Sequence, residues 1–171
     1  AQSCVDRFTE VSGQDKFKSV TTPFLDESKL PLEEFEKKGQ IFSDAASMIM
    51  KLLWLARMSR WDLLRQVNLL ASQISKWSVA ADKMLYRLMC FLNGTLDHAA
   101  TMTVADTSDK WELHLYQDAD HAGCSFTKKS TSGIFAMIAS GGSASAGVTF
   151  APITGKSQKQ TCAATSTPEA E

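Results

Sequence analysis

The spacing of apolar positions along this chain changes once, from a helical period to a strand period. Ala45, Met48, Ile49, Leu52, Leu53 and Ala56 fall at i, i+3, i+4, i+7, i+8 and i+11, which is one face of a helix, and Ser43 or Asp44 can cap its start. Leu63, Leu64, Val67, Leu70, Ala71 and Ile74 repeat the pattern after Asp62. Met84, Leu85, Leu88, Phe91 and Leu92 repeat it again after Ser78. Asn93-Gly94 is a suitable helix stop, because both residue types tolerate positive φ. The spacing predicts three amphipathic helices, near 44–58, 62–75 and 79–93, with short connections and antiparallel packing.

From Trp111 the period is two. Trp111, Leu113, Leu115 and Gln117 fall on one face of an extended segment, and Glu112, His114 and Tyr116 on the other. Residues 133–139 read as a second strand, Gly141-Gly142 and the small residues to Gly147 as a turn, and 148–153 as a third strand. The expected product is a three-stranded antiparallel meander with Asp118 at or near the end of its first strand. Further on, Ser166 and Glu169 have the spacing of a capping box and Pro168 suits a first turn, so a helix is expected to start there. Residues 1–44 are polar and irregular, with Pro23, Pro31 and the acidic cluster Glu33, Glu34 and Glu36. They read as an acidic tether with one short helix near 33–38. The expected fold class is therefore α+β: a tether (1–44), a helical connection segment (45–100) and a sheet-bearing part (101–171).

Composition narrows the class. Of 171 residues, 44% are hydrophobic and 22% charged, which is enough apolar material for a packed core. The longest mostly apolar run, 45–56, contains Ser47 and Lys51 and is too short and polar to span a bilayer. The first ten residues carry Asp6, Arg7 and Glu10 and no apolar core of a signal peptide, so an intracellular protein with no membrane partner is expected. A start at Ala1 rather than Met leads to the expectation of excision from something longer. Cys4, Cys90, Cys124 and Cys162 form no C-x-x-C pair and read as free thiols in a reducing compartment. His121 and Cys124 make an H-x-x-C, but no second pair completes a zinc shell. The net charge of −1 is uneven: residues 1–44 hold six basic and nine acidic side chains, and residues 45–100 hold seven basic and three acidic. The middle segment alone is biased toward nucleic acid.

Candidate chemistry sits at the strand ends. Tyr116-Gln117-Asp118-Ala119-Asp120-His121-Ala122-Gly123 is followed by Lys129-Ser130-Thr131-Ser132-Gly133. Then come Pro152-Ile153-Thr154-Gly155-Lys156-Ser157-Gln158-Lys159-Gln160 and Ser166-Thr167-Pro168-Glu169-Ala170-Glu171. These four segments resemble, in order and spacing, the Y-x-D-x-D-W-A-G, K-S-T-S-G, P-I-S-W-K-S-K-K-Q and S-S-T-E-A-E signatures of ribonuclease H domains in copia-type LTR retrotransposon Pol polyproteins. Upstream, Leu53-Trp54-Leu55-Ala56-Arg57-Met58-Ser59-Arg60-Trp61-Asp62 resembles the family's Y-L-A-x-x-T-R-P-D. Asn68-Leu69-Leu70-Ala71 and the stretch from Arg87 to Gly94-Thr95 resemble the segment leading to R-Y-L-x-G-T. The resemblance covers about residues 45 to 171, the region after the reverse transcriptase and the N-terminal half of the ribonuclease H-like domain. Departures are His121 and Gly155, each in place of a Trp, and Trp61 in place of a Pro.

The resemblance implies metal-dependent hydrolysis of RNA in RNA–DNA hybrids during reverse transcription, with Mg²⁺ or Mn²⁺ as cofactor. Two such ions, about 3.5–4 Å apart, activate water and stabilise the leaving oxygen. They need carboxylates gathered from several elements. The family's first-strand aspartate corresponds to Asp118 and its helix glutamate to Glu171; both would be catalytic and metal-binding. Asp120 and Glu169 are neighbours in the same motifs with less defined roles, Glu169 also fitting the capping box. Lys128, Lys129, Lys156 and Lys159 are candidate contacts to the hybrid's phosphates, or else ordinary surface lysines. Trp54, Trp77 and Trp111 read as core or half-buried side chains rather than base-stacking platforms. The family's two later carboxylates are expected beyond Glu171, and no Tyr-x-Asp-Asp polymerase motif occurs, so the chain alone is expected to be inactive. Its partners by resemblance are nucleic acid and the rest of the Pol polyprotein. The alternatives are a non-catalytic nucleic-acid-binding or structural connection module, and a non-functional retroelement relic.

Overall fold

The computed structural model describes residues 1–105, 107–120, 122, 128–140 and 149–166. It is α+β and divides into two compact units, residues 1–98 and 99–171. The first unit holds five α-helices among its residues: α1 (Gln2–Ser12), α2 (Leu32–Glu36), α3 (Ala45–Met58), α4 (Leu64–Ala71) and α5 (Val79–Gly94). The second holds β1 (Trp111–Asp120), β2 (Thr131–Ser140) and β3 (Phe150–Lys159). Among the described residues no helix is long and apolar enough to cross a membrane.

The helical unit packs through the predicted stripes. Met48, Ile49 and Leu52 of α3, Val67 and Leu70 of α4, and Met84, Leu85, Leu88 and Leu92 of α5 are fully buried in one core, and Leu53 is partly buried against it. Each such side chain stabilises the fold by about 1.5–3 kcal/mol relative to exposure. α3 begins at Ala45 and α5 at Val79, with Ser78 Oγ accepting the Ala81 N–H as the cap. Neither candidate cap of α3 acts as one: the Asp44 carboxylate instead takes an ion pair from Arg7, at 2.9 Å. The middle helix is shorter than the period suggests. It is flanked by single 3-10 turns at Trp61–Leu63 and Ile74–Lys76. Ser72 Oγ donates to the Leu69 carbonyl at 2.6 Å, the local competition by which serine ends helices. α5 runs through Asn93 and Gly94 to a cap at Thr95, so that pair is not the stop.

The reading of residues 1–44 as a tether needs correction. Residues 2–12 form α1, and its Cys4, Val5 and Phe8 belong to the same buried core as α3 and α5. The helix ends at Gly13, whose left-handed φ of 68° lets its N–H reach the Thr9 carbonyl. Further along, a short bridge pairs Lys38 with Ser78. At this crossing Gly39 N–H donates to the Trp77 carbonyl and Val79 N–H to the Lys37 carbonyl. The Asp82 carboxylate gathers three donors here: the Trp77 indole N–H at 2.7 Å, Gln40 N–H at 2.5 Å and Ile41 N–H at 3.4 Å. At the opposite end of α5 the buried Arg60 guanidinium donates hydrogen bonds to four oxygens. It meets Asp62 Oδ1 at 2.9 Å and Oδ2 at 2.8 Å, and Thr95 O and Oγ1 at 2.8 Å each.

The second unit is an antiparallel meander in the order β1-β2-β3. β1 starts at Trp111 as predicted, but β1 and β3 both run further than their apolar alternation, to Asp120 and Lys159. Backbone pairing with β2 carries them on where the side chains turn polar. A register shift lies opposite Ala136 and Met137, which pair with Thr154 and Pro152. Pro152, without an N–H, is tolerated because β3 is an edge strand. Thr103 extends that edge by exchanging two backbone hydrogen bonds with Phe150, at 3.0 and 2.7 Å. The predicted Gly141-Gly142 turn and the helix start at Pro168 lie outside the described residues.

Candidate metal and nucleic-acid site

Strand register decides which motif residues meet. Asp118 pairs with Gly133, and Gly133 pairs with Ser157. Two positions on, Asp120 pairs with Thr131, and Thr131 with Lys159. Three segments separated along the chain thus line up as two adjacent rows across the sheet. Side chains alternate between faces along a strand, so Asp118, Asp120, Ser157 and Lys159 share one face. The position between Asp118 and Ser157 is a glycine. A methyl there would touch the Asp118 carbonyl only at an ordinary 3.6 Å, so no clash demands glycine, and its effect is to leave open space beside the Asp118 carboxylate.

The two aspartates differ. Asp118 is exposed, and among the described residues its carboxylate makes no hydrogen bond or ion pair. Asp120 is half-buried, and its Oδ1 accepts the Thr131 N–H of the facing strand. That bond closes the open end of the β1-β2 pair and ties the carboxylate to a structural task. Asp118 is therefore the carboxylate available for chemistry, and Asp120 a residue that positions the strand end.

The serines of the second motif, to which the sequence assigned no role, tie the others together. Ser130 is fully buried; its Oγ accepts the Ala122 N–H at 3.1 Å and its carbonyl accepts the Gln160 N–H at 2.8 Å. Ser132 Oγ accepts the Gln160 side-chain amide at 2.8 Å. Ala122 and Lys128 both sit at positive φ, 51° and 54°, conformations that L residues with a Cβ adopt rarely. The Ser130 bond holds the first of them there. Recurring hydroxyls beside a D-x-D strand end were the available signal for this clasp.

The lysines do not form one patch. Lys128 is exposed. Lys129 is half-buried and its ammonium donates to the Thr161 carbonyl. Lys159 lies on the Asp118 face, whereas Lys156 pairs with Ile134 and lies on the other. The face with Lys156 is apolar and open: Leu113 is 71% exposed and Leu115 62%, beside Ile134 and Trp111. Of the tryptophans, Trp77 is buried as predicted, Trp111 is partly exposed, and Trp54 is exposed rather than core.

Glu169 and Glu171 lie outside the described residues, as do His121 and Cys124. The expected approach of Glu171 to Asp118 falls there too. Among the described residues no group of three or more Asp, Glu, His or Cys is placed to hold a metal ion. Asp118 supplies one oxygen-donor side chain of the cage that a hard divalent cation needs, and the described residues do not complete that cage. Comparisons with protein-family models, with curated proteins and with solved structures find no match to this chain.

Proposed function

We propose that the chain derives from the reverse transcriptase and ribonuclease H region of a copia-type retrotransposon Pol polyprotein. In this reading the sheet unit supplies the first three strands of a ribonuclease H-like domain acting on RNA in RNA–DNA hybrids. Asp118 is its first-strand carboxylate. The observation that supports the reading is the register: the Asp118, Gly133 and Ser157 segments, recognised separately as family signatures, pair directly across a meander. Bound Mg²⁺ would activate the attacking water and neutralise the leaving oxygen. Asp118 would offer it an oxygen ligand, Asp120 and Ser130 would hold the strand end that presents Asp118, and Gly133 would keep the approach open.

A second reading, a non-catalytic nucleic-acid-binding connection module, draws on the basic bias of 45–100. A labelled RNA–DNA hybrid separates the two outcomes. This 171-residue polypeptide is expected to bind the hybrid in preference to duplex DNA of equal length. It is expected not to cleave it in Mg²⁺, because among the described residues no group of three or more Asp, Glu, His or Cys is gathered to hold the ions. Cleavage that disappears in Asp118→Asn would show that the carboxylates present suffice. No preference for the hybrid would count against the ribonuclease H reading.

A further inference from the structure

A groove of about 860 Å³ lies in the helical unit. Its walls are the loop after α1, the residues around Gly39, and the first two turns of α5. Lys16, Lys18, Lys38 and Lys83 line it, against Asp15 and Asp82. The Asp82 carboxylate is turned to the Trp77, Gln40 and Ile41 N–H groups, so its charge is spent inside the fold. Lys83 is paired with Glu34 at 2.6 Å, and Lys38 lies over the Phe42 ring at 4.3 Å. Lys16 and Lys18 are exposed, and among the described residues their ammonium groups make no ion pair or hydrogen bond.

The loop that carries these two lysines is held in place. Phe17 packs against the core, its ring 6.2 Å from that of Phe8. The Tyr86 hydroxyl donates to the Lys16 carbonyl at 2.9 Å. Arg87 fastens the same segment downstream through Thr22 O and Oγ1, at 2.9 and 3.1 Å. An inward Phe17 leaves its two lysine neighbours on the groove side, and the backbone that carries them is already ordered. Two unpaired cations presented on an ordered loop cost little entropy to engage, which favours an anionic ligand. The groove is largely open to solvent and Tyr86 is among its lining residues, so a chain of phosphates can run through it where an enclosed pocket would admit only a compact anion.

We propose that this groove binds the phosphate backbone of a single nucleic-acid strand, with Lys16 and Lys18 as its principal contacts. The site is independent of the Asp118 reading and involves none of its residues. The test is fluorescence anisotropy of a labelled single-stranded oligonucleotide with the full chain, across a salt series. The Lys16→Gln/Lys18→Gln variant should keep the wild-type Tm, since both side chains are exposed and unpaired. Its affinity should fall about tenfold at low salt, and the slope of log K against log salt should flatten by roughly 1.4, two contacts at about 0.7 each for a single strand. Lys16→Arg/Lys18→Arg should restore both quantities. Unchanged affinity and slope in the glutamine variant would overturn the proposal. So would displacement of the oligonucleotide by inorganic tripolyphosphate at equal phosphate concentration, because that identifies a small-anion site. Substituting Lys128, Lys156 and Lys159 instead should leave this single-strand slope intact, which keeps failure of the groove distinct from failure of the hybrid reading.

Discussion

Gly39→Ala should lower the stability of the helical unit by about 3 kcal/mol, the upper part of the usual overpacking range. For a unit of this size that corresponds to a fall in Tm of roughly 10–20 °C. A methyl at Gly39 would sit 2.6 Å from the Ser78 carbonyl oxygen, 2.7 Å from Trp77 Cδ1 and 2.8 Å from Asp82 Oδ2. None of the three can give way cheaply. The Ser78 carbonyl accepts the Asp82 N–H at the start of α5, Trp77 is buried, and the Asp82 carboxylate is held by three donors. The cost is steric and does not arise from backbone conformation, since Gly39 is not at positive φ. Gly94→Ala is the matched control. Nothing lies within 4 Å of where its methyl would sit, and it occupies the last turn of α5, so alanine there should be neutral or stabilising by about 0.4–1 kcal/mol. Thermal melts of the two variants should therefore move in opposite directions or differ by about ten degrees or more. Coincident melts would show that the 38–39 segment does not pack against Trp77 and Ser78.

Arg60→Met should cost a similar amount, about 2–4 kcal/mol, with the loss read as an earlier urea midpoint at unchanged slope. The Arg60 side chain is only 3% exposed, and its removal leaves the Thr95 carbonyl and hydroxyl and the Asp62 carboxylate without their shared donor. Hydrogen bonds to charged groups carry roughly 1.5–3 kcal/mol each when intact, well above neutral ones. Asp62 is 44% exposed, so water compensates it in part and the expected total stays below the simple sum. Lysine cannot reproduce a fork that grips a carboxylate and two Thr95 oxygens at once, so Arg60→Lys should recover little. Asp62→Asn should be milder than either, because the guanidinium keeps its two Thr95 contacts. Equal stability of Arg60→Met and the wild type would show that this clasp does not join the ends of α3 and α5.

What can be read from the sequence divides along physical lines. The stripes of α3 and α5 are legible because burial of one face repeats every 3.6 residues, and the meander because Trp111, Leu113 and Leu115 alternate. α1 escapes the same reading although Cys4, Val5, Phe8 and Val11 follow a helical spacing and Gly13 supplies a C-cap. Asp6, Arg7 and Glu10 between them give the segment a polar average that hides the stripe. The far half of β3 is invisible to hydrophobic alternation, since Lys156, Ser157, Gln158 and Lys159 are held by pairing to β2 and not by burial. At the candidate site, Asp118 can be singled out by motif, but its difference from Asp120 cannot. Part of that difference is a backbone N–H, from Thr131, which only the register brings to the Asp120 carboxylate. Arg60 and Asp62 belong to one of the quoted motifs as well, yet their partner Thr95 lies 35 residues from Arg60 in another, and no local pattern links the two.

The central claim, that Asp118 is the carboxylate this sheet presents to a divalent cation, is tested most directly by titrating Mn²⁺ into the ¹⁵N-labelled chain and following paramagnetic broadening of amide signals. A single carboxylate binds such an ion weakly, and broadening detects weak, fast exchange. Amides of residues 117–119, 132–134 and 156–158 should broaden first, Mg²⁺ should reverse the effect, and Asp118→Asn should abolish it. Broadening centred on the acidic residues Glu33, Glu34 and Glu36, and unchanged in Asp118→Asn, would contradict the claim.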